Sequence, residues 1–195
     1  MKQTRITIVM LFSILFTMNA FGQFQAKMHY TLSAKAKEYM VFSDGDRYRY
    51  EFNEDGQEGV VIVLKKTGEV IVLMPQQKMA MKMGTTNIMR MANDPIAAYD
   101  YQVANGGIKK VIGNETINGV SCVKTELYNK SNQLLYTNWF SEKYNFPIKM
   151  VSHIDVAGNT AMELNDIQPW TPDEASFRIP DGFQVMDQKT MNPEH

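Results

Sequence analysis

Histidine, cysteine and methionine are the side chains here that could bind a metal or move a proton, and their spacing argues against most such chemistry. The chain of 195 residues holds three histidines and one cysteine. His29 and His153 fall in alternating, strand-like stretches, and His195 is the final residue. No HExxH, no GxSxG, no phosphate-cradling glycine loop and no paired-cysteine motif is present. Cys122 has no partner for an intramolecular disulfide, and its alternating apolar surroundings suit a buried, inert thiol rather than a nucleophile. Carboxylates gather at turns, as with Asp44, Asp46, Glu54 and Asp55. Asp44-Gly45-Asp46 lacks the rest of a calcium loop. On strand alternation His153 sits on the polar side, with Glu163 as its expected cross-strand partner. The expectation is a protein that is not an enzyme and carries no cofactor.

Methionine is the anomaly. Of fifteen, three lie in the first 22 residues, and five of the other twelve fall between Met79 and Met91. Three readings stand side by side. Methionine fills irregular core gaps, or lines a surface that repacks around varied apolar ligands, or offers soft thioethers to Cu(I). On a regular strand Met79 and Met83 are about 13 Å apart. One copper ion could not bridge them, so Met89 or Met91 would have to fold across.

The elements that must position these side chains read as strands. Arg47 to Phe52 alternates Tyr48, Tyr50 and Phe52 against Arg47, Arg49 and Glu51, a period of two. Asp44-Gly45-Asp46 supplies a tight turn before it, with Lys27 to Ser33 and Lys37 to Ser43 upstream. Gly59 to Lys65 and Glu69 to Met74 are apolar on both faces, as central strands covered on two sides would be. Lys78 to Met83 alternates again. Thr85 to Gln102 breaks the rhythm. Thr86 or Asn87 could cap a short helix with Ile88, Met89 and Met91 on its apolar side, interrupted at Asn93-Asp94-Pro95 and resumed over Ile96 to Tyr99. Strands return over Lys109 to Ile117 and Val120 to Asn129 about Asn118-Gly119, the strongest hairpin signal in the chain. Leu134 to Phe140, Pro147 to Asp155 and, after Ala157-Gly158-Asn159, Thr160 to Ile167 follow. Phe177-Arg178-Ile179-Pro180 is read as an edge segment blunted by its proline. The total is about ten strands and one helical interruption.

Residues 1–22 have the layout of a secretory signal: Lys2 and Arg5, an apolar run from Ile6 to Phe16, then Ala20-Phe21-Gly22 before the expected cut. The run is too short to span a bilayer. Residues 23–195 then form a single domain carrying 18 basic against 21 acidic side chains, a formal −3. That balance offers nothing to nucleic acid or to an anionic membrane surface, and no transmembrane span is expected in the mature form.

The order of several phrases resembles the LolA-like superfamily of lipoprotein-localisation factors, and especially its uncharacterised secreted members. They are Phe42-Ser43-Asp44-Gly45-Asp46-Arg47-Tyr48-Arg49-Tyr50-Glu51, Gly68-Glu69-Val70-Ile71-Val72-Leu73-Met74-Pro75-Gln76-Gln77-Lys78-Met79 and Gly113-Asn114-Glu115-Thr116-Ile117-Asn118-Gly119-Val120-Ser121-Cys122. Trp139-Phe140-Ser141, Phe146-Pro147-Ile148-Lys149-Met150 and the closing Phe177-Arg178-Ile179-Pro180-Asp181-Gly182-Phe183 complete the series. The resemblance implies a mostly β fold: a curved antiparallel sheet, or incomplete β-barrel, whose concave apolar face is closed by helix and holds acyl chains. This chain departs from it in having one short helical lid.

On strand face, the expected ligand-binding residues are Met79, Met81, Met83, Trp139, Met150, Met162 and Leu164. The expected function is non-enzymatic binding or carriage of a hydrophobic, lipid-like ligand in the periplasm or cell envelope. An envelope protein-interaction module and a methionine-rich Cu(I) protein are the alternatives.

Overall fold

The computed structural model describes residues 22–32, 35–54, 56–84, 94–154 and 160–187. Most of the expected signal segment, the stretch from Thr85 to Asn93 with Thr86, Asn87, Ile88, Met89 and Met91, and the turn Ala157-Gly158-Asn159 lie outside the described residues.

Among the described residues twelve strands form one sheet. The first meander is β1 (Gln23–Leu32), β2 (Lys35–Asp44), β3 (Arg47–Glu54), β4 (Gln57–Leu64), β5 (Glu69–Met74) and β6 (Met79–Gly84). After helix α1 (Pro95–Ala104) comes the second: β7 (Ile108–Ile117), β8 (Val120–Tyr128), β9 (Leu134–Ser141), β10 (Phe146–Ser152) and β11 (Ala161–Gln168). The meanders join where β1 pairs antiparallel with β11. The short β12 (Gln184–Asp187) lies parallel against β6. The spatial order runs from β12 through β6 to β1, then from β11 to β7, and the sheet stays open.

Local sequence explains the turns. Asp44 Oδ1 accepts from the backbone N–H groups of Asp46 (3.1 Å) and Arg47 (2.7 Å), while Gly45 takes φ 91°. Asn118 and Gly119 both have positive φ, at 49° and 77°, as a two-residue hairpin of this type requires.

The faces separate cleanly. Tyr48, Tyr50 and Phe52 point to the concave side, in register with Val63, Val61 and Gly59 of β4. Arg47, Arg49 and Glu51 point to the convex side. β4 and β5 bury both faces, as their apolar runs imply. Val61, Val63, Val70 and Val72 join the concave core, while Ile62, Ile71, Leu73 and, from β6, Ala80 form a second cluster behind it.

That second cluster is covered by the segment after β11, here called the strap. Trp170, Phe177, Ile179 and Phe183 pack on it. The Arg47 guanidinium pins the strap by bridging Asp44 (2.7 Å) and Glu174 (2.9 Å), 4.3 Å above the Phe177 ring. Arg49 donates to the Ser176 carbonyl at 2.9 Å. Phe177-Arg178-Ile179-Pro180 is therefore not a strand. Phe177 closes a 3-10 turn (Glu174–Phe177) and goes inward, and the edge role passes to β12.

On the concave side α1 lays Ile96 and Tyr99 into the core, with Tyr99 edge-on to Tyr136 at 5.7 Å. Asp94 and Pro95 open this helix, and the turn expected before them over Thr86 to Met91 lies outside the described residues. Asp94 Oδ1 accepts from Ile96 N–H at 2.9 Å, and Pro95 occupies the first turn, where its missing donor costs nothing. Asp94 Oδ2 also accepts from Tyr48 Oη at 3.0 Å, so one buried carboxylate caps the helix and ties it to β3. No helix among the described residues is long and apolar enough to cross a membrane.

The expected His153–Glu163 pair does not form. Register sets Lys149 opposite Glu163, and the two make the ion pair at 2.8 Å. β10 ends at Ser152, so His153 lies beyond it, with Nε2 2.9 Å from Thr137 Oγ1.

Candidate functional site

The concave face of β2 to β6 is built of cross-strand rows. One row runs Val41, Tyr50, Val61, Val72, Met81. Beside it Phe52 faces Gly59, and Met74 faces Met79. Because pairing partners in a sheet share a face, each row stacks its side chains into the same space.

Between these rows lies a cleft of about 350 Å³, toward the small end of the ~300–1,000 Å³ usual for small-molecule sites. Val61, Val70, Val72, Met74, Met81 and Met83 line it on one side, and Tyr39, Tyr50, Phe52 and Glu54 on the other. The three rings form a wall, with Tyr39 centred 5.6 Å from Tyr50 and 6.0 Å from Phe52. Phe52 holds its place because Gly59 has no side chain: a Cβ there would meet Phe52 Cζ at 2.1 Å.

Among the described residues Glu54 is the only charged lining group, and both its oxygens are engaged by neighbours. Lys37 Nζ stands 2.8 Å from Oε1 and 2.9 Å from Oε2, and Tyr39 Oη donates to Oε1 at 3.1 Å. The Lys37 hydrogen bond holds the Glu54 carboxyl below the usual carboxylate range, against some desolvation. Burial, reinforced by the Glu54 charge, pushes the Tyr39 hydroxyl well up. The cleft thus has a long apolar body and one polar end whose charges cancel.

The sequence-derived residues distribute unevenly over this geometry. Met81 and Met83 line the cleft. Met79 shares their strand face and pairs with the lining Met74. Met150, Met162 and Leu164 are on the same concave surface, through Met150–Met162 and Met28–Leu164 pairing, but are fully enclosed in the core of the other meander. Trp139 is on the convex side, its ring flanked by Lys124 and Lys149 and its indole N–H donating to Glu115 Oε2 at 2.6 Å. The aromatic wall and Glu54 were not singled out from sequence, although the alternation of Tyr48, Tyr50 and Phe52 already placed those rings on one face.

Cys122 is buried, and that burial raises its thiol pKa, away from the reactive thiolate. Among the described residues no three His, Cys, Asp or Glu side chains gather as a metal site.

The open sheet with a helix packed on its concave side is the architecture that the ordered sequence phrases imply. Solved structures share that architecture. No family model matches the sequence, and no curated protein matches it. Among solved structures, an uncharacterized conserved protein from Thermus thermophilus is similar at 11% identity over 87% of this chain and 92% of that one, TM-score 0.57. MucB, in the Pseudomonas aeruginosa MucA/MucB complex structure, is similar at 14% identity over 86% of this chain, TM-score 0.51. This chain spans 59% of that one. The LolA superfamily protein NE2245 from Nitrosomonas europaea aligns at 14% identity over 80% of this chain and 90% of that one, TM-score 0.46. At such identities, what the Thermus protein and MucB share with this chain is the fold.

Proposed function

We propose that this chain is an exported, non-enzymatic binding protein of the periplasm or cell envelope, and that it takes a hydrophobic, lipid-like ligand into the concave cleft. One observation carries the reading: an open cleft of about 350 Å³ in which nine of ten lining residues present hydrocarbon, thioether or aromatic surface. Protein interiors close-pack and leave few such voids, and here the rows of described residues leave this space free. Each buried methylene contributes about 0.8 kcal/mol, so affinity should climb with chain length until the cleft is full. Residues 1–22 are proposed to direct export and to be removed.

The test is a titration of the protein from residue 23 onward with a fluorescent C12 acyl probe below its aggregation threshold. Saturable one-site binding is expected, weakened at least about tenfold by Met81→Glu, since a buried unpaired carboxylate is strongly disfavoured. Unsaturable binding, or equal binding by a folded Met81→Glu protein, overturns the reading. Met83 belongs to the same site. Met79, Met150, Met162, Leu164 and Trp139 are proposed as secondary candidates whose substitution should matter less.

A second reading, an envelope protein-interaction module, is favoured by β7. This edge strand leaves Val111, Ile112 and Ile108 at 71%, 51% and 50% exposure. Lys109, Lys110 and the register shift before Gly113 blunt that edge against pairing, which ranks this reading second. A protein that purifies empty, binds no acyl probe and loses its partner on Val111→Lys would favour it.

A further inference from the structure

If the cleft takes a lipid, as proposed above, its polar end narrows which lipid it can be. An amphiphile whose chain lies along Val72 and Met81 must leave its head near Glu54, the one charged group lining the space among the described residues. That carboxylate does not stand alone. Lys37 contacts both of its oxygens, and Tyr39 donates to one of them. Lys37 faces the same concave side, since β2 pairs it with the core residue Tyr30.

An anionic head would meet the Glu54 carboxylate, and a cationic head would meet the Lys37 ammonium. Either gains one attraction and suffers one repulsion of similar size, so neither charge has a net electrostatic advantage beside this pair. A hydroxyl escapes this conflict because it both donates and accepts. It can give its proton to the lone-pair capacity left on Glu54 and accept from the donor Lys37 has left over. Volume adds a second limit. With a methylene taken as roughly water-sized, ~30 Å³, a cleft of about 350 Å³ matches one chain of about twelve carbons.

We propose that the cleft selects a single-chain amphiphile with an uncharged, hydroxyl-bearing head, and that the Lys37–Glu54–Tyr39 cluster sets this preference.

Three C12 amphiphiles of equal chain length test it: monododecanoylglycerol, dodecanoate and dodecylammonium, each titrated below its critical micelle concentration at pH 7. The monoacylglycerol should bind about tenfold more tightly than either charged ligand. Breaking the pair should flip the order. Glu54→Gln leaves the Lys37 charge uncompensated and should favour dodecanoate, and Lys37→Met should favour dodecylammonium. Both side chains are partly exposed, so both variants should fold, and circular dichroism checks it. Equal affinity for the three ligands, or an order unmoved by both substitutions, overturns this inference while leaving the lipid-binding reading intact. Failure of all three to bind overturns both.

Discussion

At the scale of single residues, Gly59 and Glu54 control the cleft in different ways. Gly59 gives Phe52 a bare stretch of main chain to lie on. Gly59→Ala must push that ring toward the space a ligand would use. We expect the acyl probe to bind several-fold more weakly, with denaturant stability changed by about 1 kcal/mol at most, since one flexible ring end can move. Glu54 makes a pH prediction. Its carboxyl is held below the ordinary 4.5 chiefly by the Lys37 hydrogen bond. A depressed folded-state pKa adds stability that is complete above pH 4.5 and disappears as pH falls through the folded value. Lys37→Met should therefore lower stability at pH 7 by roughly 0.2–1 kcal/mol, the range for a partly exposed pair. Its effect should shrink as acidification below 4.5 protonates Glu54. Urea denaturation of both proteins at pH 7 and across that acid range decides the matter.

At the scale of elements, α1 hangs on one carboxylate. Asp94→Ala removes a cap worth about 1–2 kcal/mol together with the bond from Tyr48. Amide exchange should speed up in α1 and leave β8 to β10 unchanged, while Asp94→Asn should lose less. The same helix marks where sequence reading stopped. Periodicity exposed β3, because its side chains alternate from Arg47 to Phe52, and Asp44-Gly45-Asp46 and Asn118-Gly119 announced their turns through backbone chemistry that is local. Asp94-Pro95 is local as well, but a proline reads equally as a break or as a first turn, and it takes the carboxylate's hydrogen bond to show that a helix begins there. The strap was invisible for a different reason. Trp170, Phe177, Ile179 and Phe183 follow no period, because an irregular segment places each side chain by its own turn. Register hid most of the site. Alternation puts Met81 and Met150 on strand faces, yet only the order of strands reveals that one lines a cleft and the other sits in a closed core.

For the whole molecule, two meanders share one seam, β1 against β11, and are further tied by α1 on the concave side and by the strap behind. Phe177 is almost wholly buried between Arg47, Trp170 and the Ile62–Ile71 cluster, so Phe177→Ala should cost about 3–5 kcal/mol. The lower midpoint in thermal or chemical unfolding should come with increased binding of a hydrophobic dye to the uncovered back of β4 and β5.

The strap leaves β11 beside the seam and ends on β6 at the far side of the first meander, so it runs behind the strands that carry the cleft. Their curl is then braced from the back. An altered side chain at Phe177, separated from any guest by the full thickness of the sheet, should register as a changed optimum when affinity is plotted against alkyl length.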